Sequence, residues 1–161
     1  MGRKSPACRT HAPVRPWPAR RASRSRRCAM DAADEKRGRL VELTQDECWE
    51  QIRSRPVGRV AWIGTEGVSV LPVNFLVDGR EVVMRTTPYS ALARECPDRE
   101  VVFEVDDLDE EHRAGWSVLL RGRCRREERT SSGVTPWASG RRILGLRIEV
   151  RSVTGRRVLP T

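Results

Sequence analysis

The chain has 161 residues, enough for one domain and a tail, and its formal net charge is +9. Nine basic residues and no acid precede Met30, so the remainder is charge-balanced and the high isoelectric point says nothing about what the domain binds. No apolar run approaches the ~20 residues of a membrane-spanning helix, and five cysteines without a CxxC pair argue against both a disulfide framework and a zinc site.

These features set the expectation of a cytoplasmic protein with no membrane partner and no metal. Residues 1–36 hold Pro6, Pro13, Pro16 and Pro18 among arginines and small residues. They lack apolar periodicity and read as a disordered Arg/Pro-rich tail. Phosphate contact with a nucleic acid and a targeting role are two readings of it. A twin-arginine signal is dismissed, because no apolar segment follows Arg20-Arg21 or Arg26-Arg27. Translation starting at Met30 is the favoured reading; residues 1–29 would then not belong to the protein, and nucleic acid is not expected as a partner.

Residues 37–161 form the expected domain. Thr44-Gln45-Asp46-Glu47 has the capping-box pattern, with Leu43 before it, and predicts a helix from Gln45 to about Ser54 that ends before Pro56. Cys48, Trp49 and Ile52 make its apolar face. Three strands follow, over residues 57–63, 68–77 and 80–85. Gly64-Thr65-Glu66-Gly67 joins the first two. Asp78-Gly79 is read as a primed turn joining the last two, with positive φ at both residues.

Ser90 opens a short helix to Glu95, closed by Pro97. Residues 99–105 make a fourth strand, and Asp106 to Glu111 an acidic loop with an exposed His112. That loop lacks calcium-binding spacing. Residues 115–126 make a fifth strand, with Trp116, Val118, Leu120, Gly122 and Cys124 on one face. The other face carries Arg121, Arg123 and Arg125, read as a solvated row or as partners for the acidic loop or an anionic ligand. Residues 131–140 form a loop containing Pro136-Trp137. Residues 142–150 make the sixth strand, with Leu144, Leu146, Ile148 and Val150 inward, and Thr154-Gly155-Arg156-Arg157 a last turn.

Six strands, one helix before them and one small helix after the third imply a mainly β, six-stranded antiparallel barrel. There is no βαβ alternation and no glycine-rich phosphate loop, so a doubly wound nucleotide fold is excluded. Pro72 inside a strand predicts an edge or a bulge. Asn74 can offer both a donor and an acceptor to a ligand or satisfy a bulge, and Arg85 with Thr86 can meet a phosphate or remain a surface pair.

From about Leu40 to Leu159 the chain resembles the pyridoxamine 5′-phosphate oxidase-like flavin-binding split barrels. The resemblance is carried by Glu47-Cys48-Trp49-Glu50, Val57-Gly58-Arg59-Val60, Leu71-Pro72-Val73-Asn74, Asp78-Gly79, Arg85-Thr86, Phe103-Glu104-Val105-Asp106, Gly115-Trp116-Ser117-Val118, Pro136-Trp137 and Gly155-Arg156-Arg157, in that order. It implies a split β-barrel and a homodimer with FMN, or in some relatives a deazaflavin coenzyme or haem, at the subunit interface. It implies a cofactor-dependent oxidoreductase acting on a small-molecule substrate. The cofactor-binding residues it implies are Pro72, Val73, Asn74, Arg85, Thr86, Ser90, Trp116 and Ser117. No catalytic side chain is assigned.

One departure bears on this. Relatives commonly continue the Arg-Thr pair as Arg-Thr-x-x-Gly-x-Lys, whereas Tyr89 and Ala91 stand at those last two positions here. Arg94 is the nearest replacement cation along the chain. The alternative function is a non-catalytic split-barrel protein that has lost tight flavin binding.

Overall fold

The computed structural model describes residues 38–127 and 133–160. The predicted tail, residues 1–36, lies outside them. Nine elements follow one another: β1 (Arg39–Leu43), α1 (Gln45–Arg53), β2 (Val57–Gly64), β3 (Gly67–Asp78), β4 (Glu81–Thr86), α2 (Ala91–Glu95), β5 (Glu100–Asp109), β6 (Ala114–Glu127) and β7 (Leu144–Leu159).

All pairings are antiparallel, in the order β1-β7-β4-β3-β2-β5-β6, and β6 pairs back onto β7. Six strands therefore close a barrel, and β1 adds a seventh strand on the outer half of β7. Closure gives every barrel strand two neighbours. One opening in the wall bears on the site. β3 pairs with β4 only from Phe75 to Asp78, although β3 runs back to Gly67 alongside β2. Between β3 and the far end of β4 the wall is split.

The core follows the alternation expected of strands with one buried face. Trp116, Val118, Leu120 and Cys124 of β6 point inward with Val101, Phe103 and Val105 of β5. Phe75 and Phe103 meet edge to face with ring centres 5.0 Å apart. On α1 the capping box is formed as read: Thr44 Oγ1 accepts from the Glu47 N–H, and the Glu47 carboxylate accepts from the Thr44 N–H at 2.7 Å. This helix drives Cys48, Trp49 and Ile52 into the core. Cys96 and Cys124 are buried too, and burial pushes both thiols up to about 12, which leaves them neutral packing groups.

Five expectations are corrected. There are seven strands, because β1 was not foreseen. Asp106 to Asp109 continue β5 and do not form a loop; Asp106 pairs with Arg59 and Asp107 with Arg55, while Arg125 of β6 turns to Asp98 and Glu149. The hairpin turn is centred on Gly79 and Arg80, since Asp78 is already paired with Glu81, and Gly79 alone has positive φ. The last strand begins at Leu144, so Arg142 belongs to the loop before it. Residues 154–157 are strand, not turn. Gly155 is there because Cys48 Sγ lies 2.6 Å from where a Cβ would stand.

Candidate functional site

The split between β3 and β4 is a cavity of about 220 Å3. Three segments distant in the sequence line it: residues 71–74 of β3, residues 85–90 at the end of β4 and the start of α2, and residues 136–142 of the loop before β7. It brings together Pro72, Val73, Asn74, Arg85, Thr86 and Ser90, six of the eight residues expected at a cofactor. Trp116 and Ser117 are not among them. They sit on β6 opposite Asp107 and Asp106, and Trp116 is buried in the core.

The β2–β3 ladder explains Pro72. Phe75 N–H donates to the carbonyl of Pro56, so bonded pairs alternate outward from there and the nitrogen of Pro72 faces away from β2. That side is the split, where no ladder bond is lost. Pro72 is the edge proline the sequence predicted.

Arg85 is half-buried on β4. Its Nε is fully enclosed and has no hydrogen-bond partner, and among the described residues no carboxylate lies within ion-pair distance of it. An enclosed, unpaired guanidinium nitrogen is a costly arrangement that Arg123 Nε of β6 shares; what sets Arg85 apart is that its side chain also lines the cavity.

Thr86 is buried, and its hydroxyl lies 2.8 Å from that of Ser90. Ser90 Oγ accepts from the Ala93 N–H at 3.1 Å and donates to the Thr87 carbonyl at 3.0 Å. A hydroxyl has one proton, so the Thr86–Ser90 contact takes its proton from Thr86. Thr86 thus braces α2 and has no proton left for a phosphate in this arrangement.

Asn74 is also occupied. Its Nδ2 donates to the Pro56 carbonyl at 3.3 Å and its Oδ1 accepts from the Trp137 N–H at 2.8 Å. Arg142 lines the cavity as a second cation and steadies the loop, donating through Nη1 to the carbonyls of Ala138 and Ser139. Sequence reasoning missed Arg142 because it counted the residue into a strand. The departing positions lie outside the cavity: Tyr89 is 85% exposed, Ala91 is exposed, and Arg94 reaches back to the Tyr89 carbonyl.

Among the described residues, no carboxylate, histidine, cysteine or tyrosine lines the cavity. Glu104 of β5 is paired with Arg59. The arrangement can hold an anion beside an apolar wall. It has no general acid or base of its own.

Comparison with known proteins agrees with the fold. An uncharacterised protein of Mycobacterium tuberculosis, Rv0080, is 33% identical over 146 residues, spanning 84% of this chain and 93% of that protein. A solved structure described as the FAD binding protein from Mycobacterium smegmatis has 29% identity and a TM-score of 0.60, covering 74% of this chain and 98% of the other. The FAD and heme binding protein of the same organism shares the fold at 15% identity and a TM-score of 0.57, covering 74% and 75%. The family model described as pyridoxamine 5′-phosphate oxidase matches residues 44–157. The chain belongs to that family.

Proposed function

We propose that the protein binds a flavin nucleotide in the β3–β4 split and serves as a flavin-dependent oxidoreductase on a small-molecule substrate. The observation that carries this reading is Arg85 in the lining of a cavity that has no acid among the described residues. A phosphate is the natural counter-group, because a guanidinium offers it two parallel donors. Arg142 supplies the second charge and replaces the lysine that the chain lacks at Ala91. Leu71, Pro72 and Val73 give the apolar wall along which a ring can lie. When bound, the flavin supplies hydride chemistry that the lining residues cannot.

FMN is the first ligand to try and FAD the second, since a solved relative is named for FAD. A deazaflavin coenzyme fits the same phosphate site. Haem fits poorly, because the lining residues include no histidine, cysteine, methionine or tyrosine to serve as an axial ligand.

The reading includes a homodimer. A cavity of about 220 Å3 is smaller than the ~300–1,000 Å3 typical of ligand sites. Toward the β2–β3 turn, Ile63, Val68 and Val70 are exposed, Val68 at 77%. A second copy covering that face would enlarge the site and bury the patch. Ser117 is the residue of the Trp116-Ser117 pair with surface to offer such a copy.

The second reading, a binding protein without catalysis, is favoured by the absence of any acid or base in the cavity. Titration of the purified full chain with FMN, FAD, a deazaflavin coenzyme and haem tests both. Micromolar flavin binding with bleaching by a nicotinamide reductant supports the enzyme. Binding without bleaching overturns the enzyme in favour of a flavin carrier, and no binding by any of the four at micromolar concentration overturns the enzyme in favour of a barrel that has lost tight flavin binding.

A further inference from the structure

Asn74 was expected to meet the cofactor ring, yet both ends of its amide are held by backbone groups. The carbonyl of Pro56 can only accept and the N–H of Trp137 can only donate. These two partners fix which way the amide points and use one donor and one acceptor of it. Pro56 lies at the corner between α1 and β2, and Trp137 lies in the loop that closes the cavity. Asn74 is therefore the tie between the barrel wall and that loop.

The loop needs such a tie. Residues 133–143, which lead into β7, have no regular structure of their own, and Trp137 is 72% exposed, so its ring does little to anchor them. Gly140 turns with a φ of 99°, and Arg142 folds back onto the carbonyls of Ala138 and Ser139. Pro136, Ala138 and Arg142 face the cavity from this segment. The Asn74–Trp137 bond joins it to β3 between those lining residues.

We propose that Asn74 is a positioning residue: by accepting from the Trp137 N–H it holds residues 136–142 against β3 and so keeps Arg142 over the same cavity as Arg85. The proposal rests on the anion-binding reading of that cavity only for its consequence. The tie itself is a property of the free protein. If Asn74 acts through Arg142, removing its amide loosens the grip on a phosphate and leaves the grip on a ring unchanged.

Two measurements on the full chain separate these statements. The first is hydrogen exchange at the Trp137 amide without ligand. Asn74→Ala frees that N–H and lowers its protection by about tenfold or more, whereas Asn74→Asp keeps an acceptor and retains protection. Unchanged protection in Asn74→Ala overturns the proposal, whether or not the protein binds flavin. The second is a double-mutant cycle between Asn74→Ala and Arg142→Ala, read with FMN and with riboflavin, which lacks the phosphate. The expected result is a coupling of at least about threefold for FMN and little effect of either change on riboflavin. Additive losses, with riboflavin weakened as much as FMN, mean that Asn74 touches the ring and overturn the positioning role. Absence of flavin binding by the unaltered protein sinks the proposed function and leaves the exchange measurement to decide Asn74.

Discussion

Arg85 and Arg147 stand on paired strands, and their surroundings are opposite. Arg147 of β7 is in register with Val83 of β4, two residues from Arg85, and the two guanidinium groups rise from the same face of the sheet. Arg147 is surrounded by acids. Its Nη2 reaches Glu127 at 2.6 Å, its Nη1 reaches Asp78 at 3.0 Å, and Glu81 closes the cluster. The hydrogen bond to Glu127, more than any other contact, raises the pKa of the group beyond its already high ordinary value. Arg85 has an enclosed nitrogen and, among the described residues, no acid within ion-pair distance. One arginine has its counter-charges within the fold. The other has the geometry to receive one from outside. A sequence shows two arginines in two strands and cannot tell them apart, because the acids that distinguish them come from Asp78, Glu81 and Glu127, on segments far from Arg147 in the chain.

The largest effect that would test the contrast is at Arg147. Arg147→Met leaves Glu127, whose side chain is 5% exposed, buried without its cation. Breaking such a pair costs about 3 kcal/mol, the lower part of the range for buried pairs, because Arg147 itself is partly exposed. The midpoint of urea unfolding should fall accordingly, with FMN affinity within about twofold of the original protein. Should FMN binding be lost at the same time, with the fold intact, the two arginines are not separate in role.

Arg85→Ala should do the reverse. Loss of a charge-assisted bond costs about 1.5–3 kcal/mol of binding, or roughly one to two decades in FMN affinity. Folding stability should stay within about 0.5 kcal/mol, since no partner is orphaned. Arg85→Lys should recover part of the affinity, as a point charge replaces a fork. A stability loss on the scale expected at Arg147 would mean that Arg85 has a structural partner, and the contrast would break.

Legibility divides along the same line. Local signals read well. The capping box at Thr44 and Glu47, the N-cap at Ser90 and the inward row on β6 are all present, because each depends on residues a few positions apart. Two strand errors share one cause. Gly155 was taken for a turn, which cut β7 short, and without the far half of β7 there was nothing for residues 39–43 to pair with. The glycine is there for space against Cys48, a contact across the fold. At the site, the resemblance to a family brought forward Pro72, Val73, Asn74, Arg85, Thr86 and Ser90, and the cavity assembles all six. Their chemistry was less legible. The proton of Thr86 goes to Ser90 and the amide of Asn74 to two backbone groups, and such commitments appear only once segments from three parts of the chain meet. Arg142 was out of reach for the same reason.

The smallest effect calibrates the comparison in acid. Thr44→Ala removes the cap of α1, far from both arginines, at a cost of about 1 kcal/mol. In the intact box the Thr44 N–H, and after it the Thr44 hydroxyl, holds the Glu47 carboxyl below its ordinary range. A carboxylate depressed in the fold contributes stability that is present above its unfolded value, ~4.3 for glutamate. That contribution is lost as pH falls through the lower folded value. Thr44→Ala removes the hydroxyl and keeps the backbone N–H, so it should flatten the stability profile only in part below about pH 4.3 and leave FMN binding at neutral pH untouched. The slope that survives in Thr44→Ala excludes the share of the Thr44 hydroxyl and keeps that of the backbone N–H. A profile identical in Thr44→Ala and the unaltered protein would show that the Thr44 hydroxyl has no part in the acid response, and would leave the depression of Glu47 to the backbone N–H of residue 44.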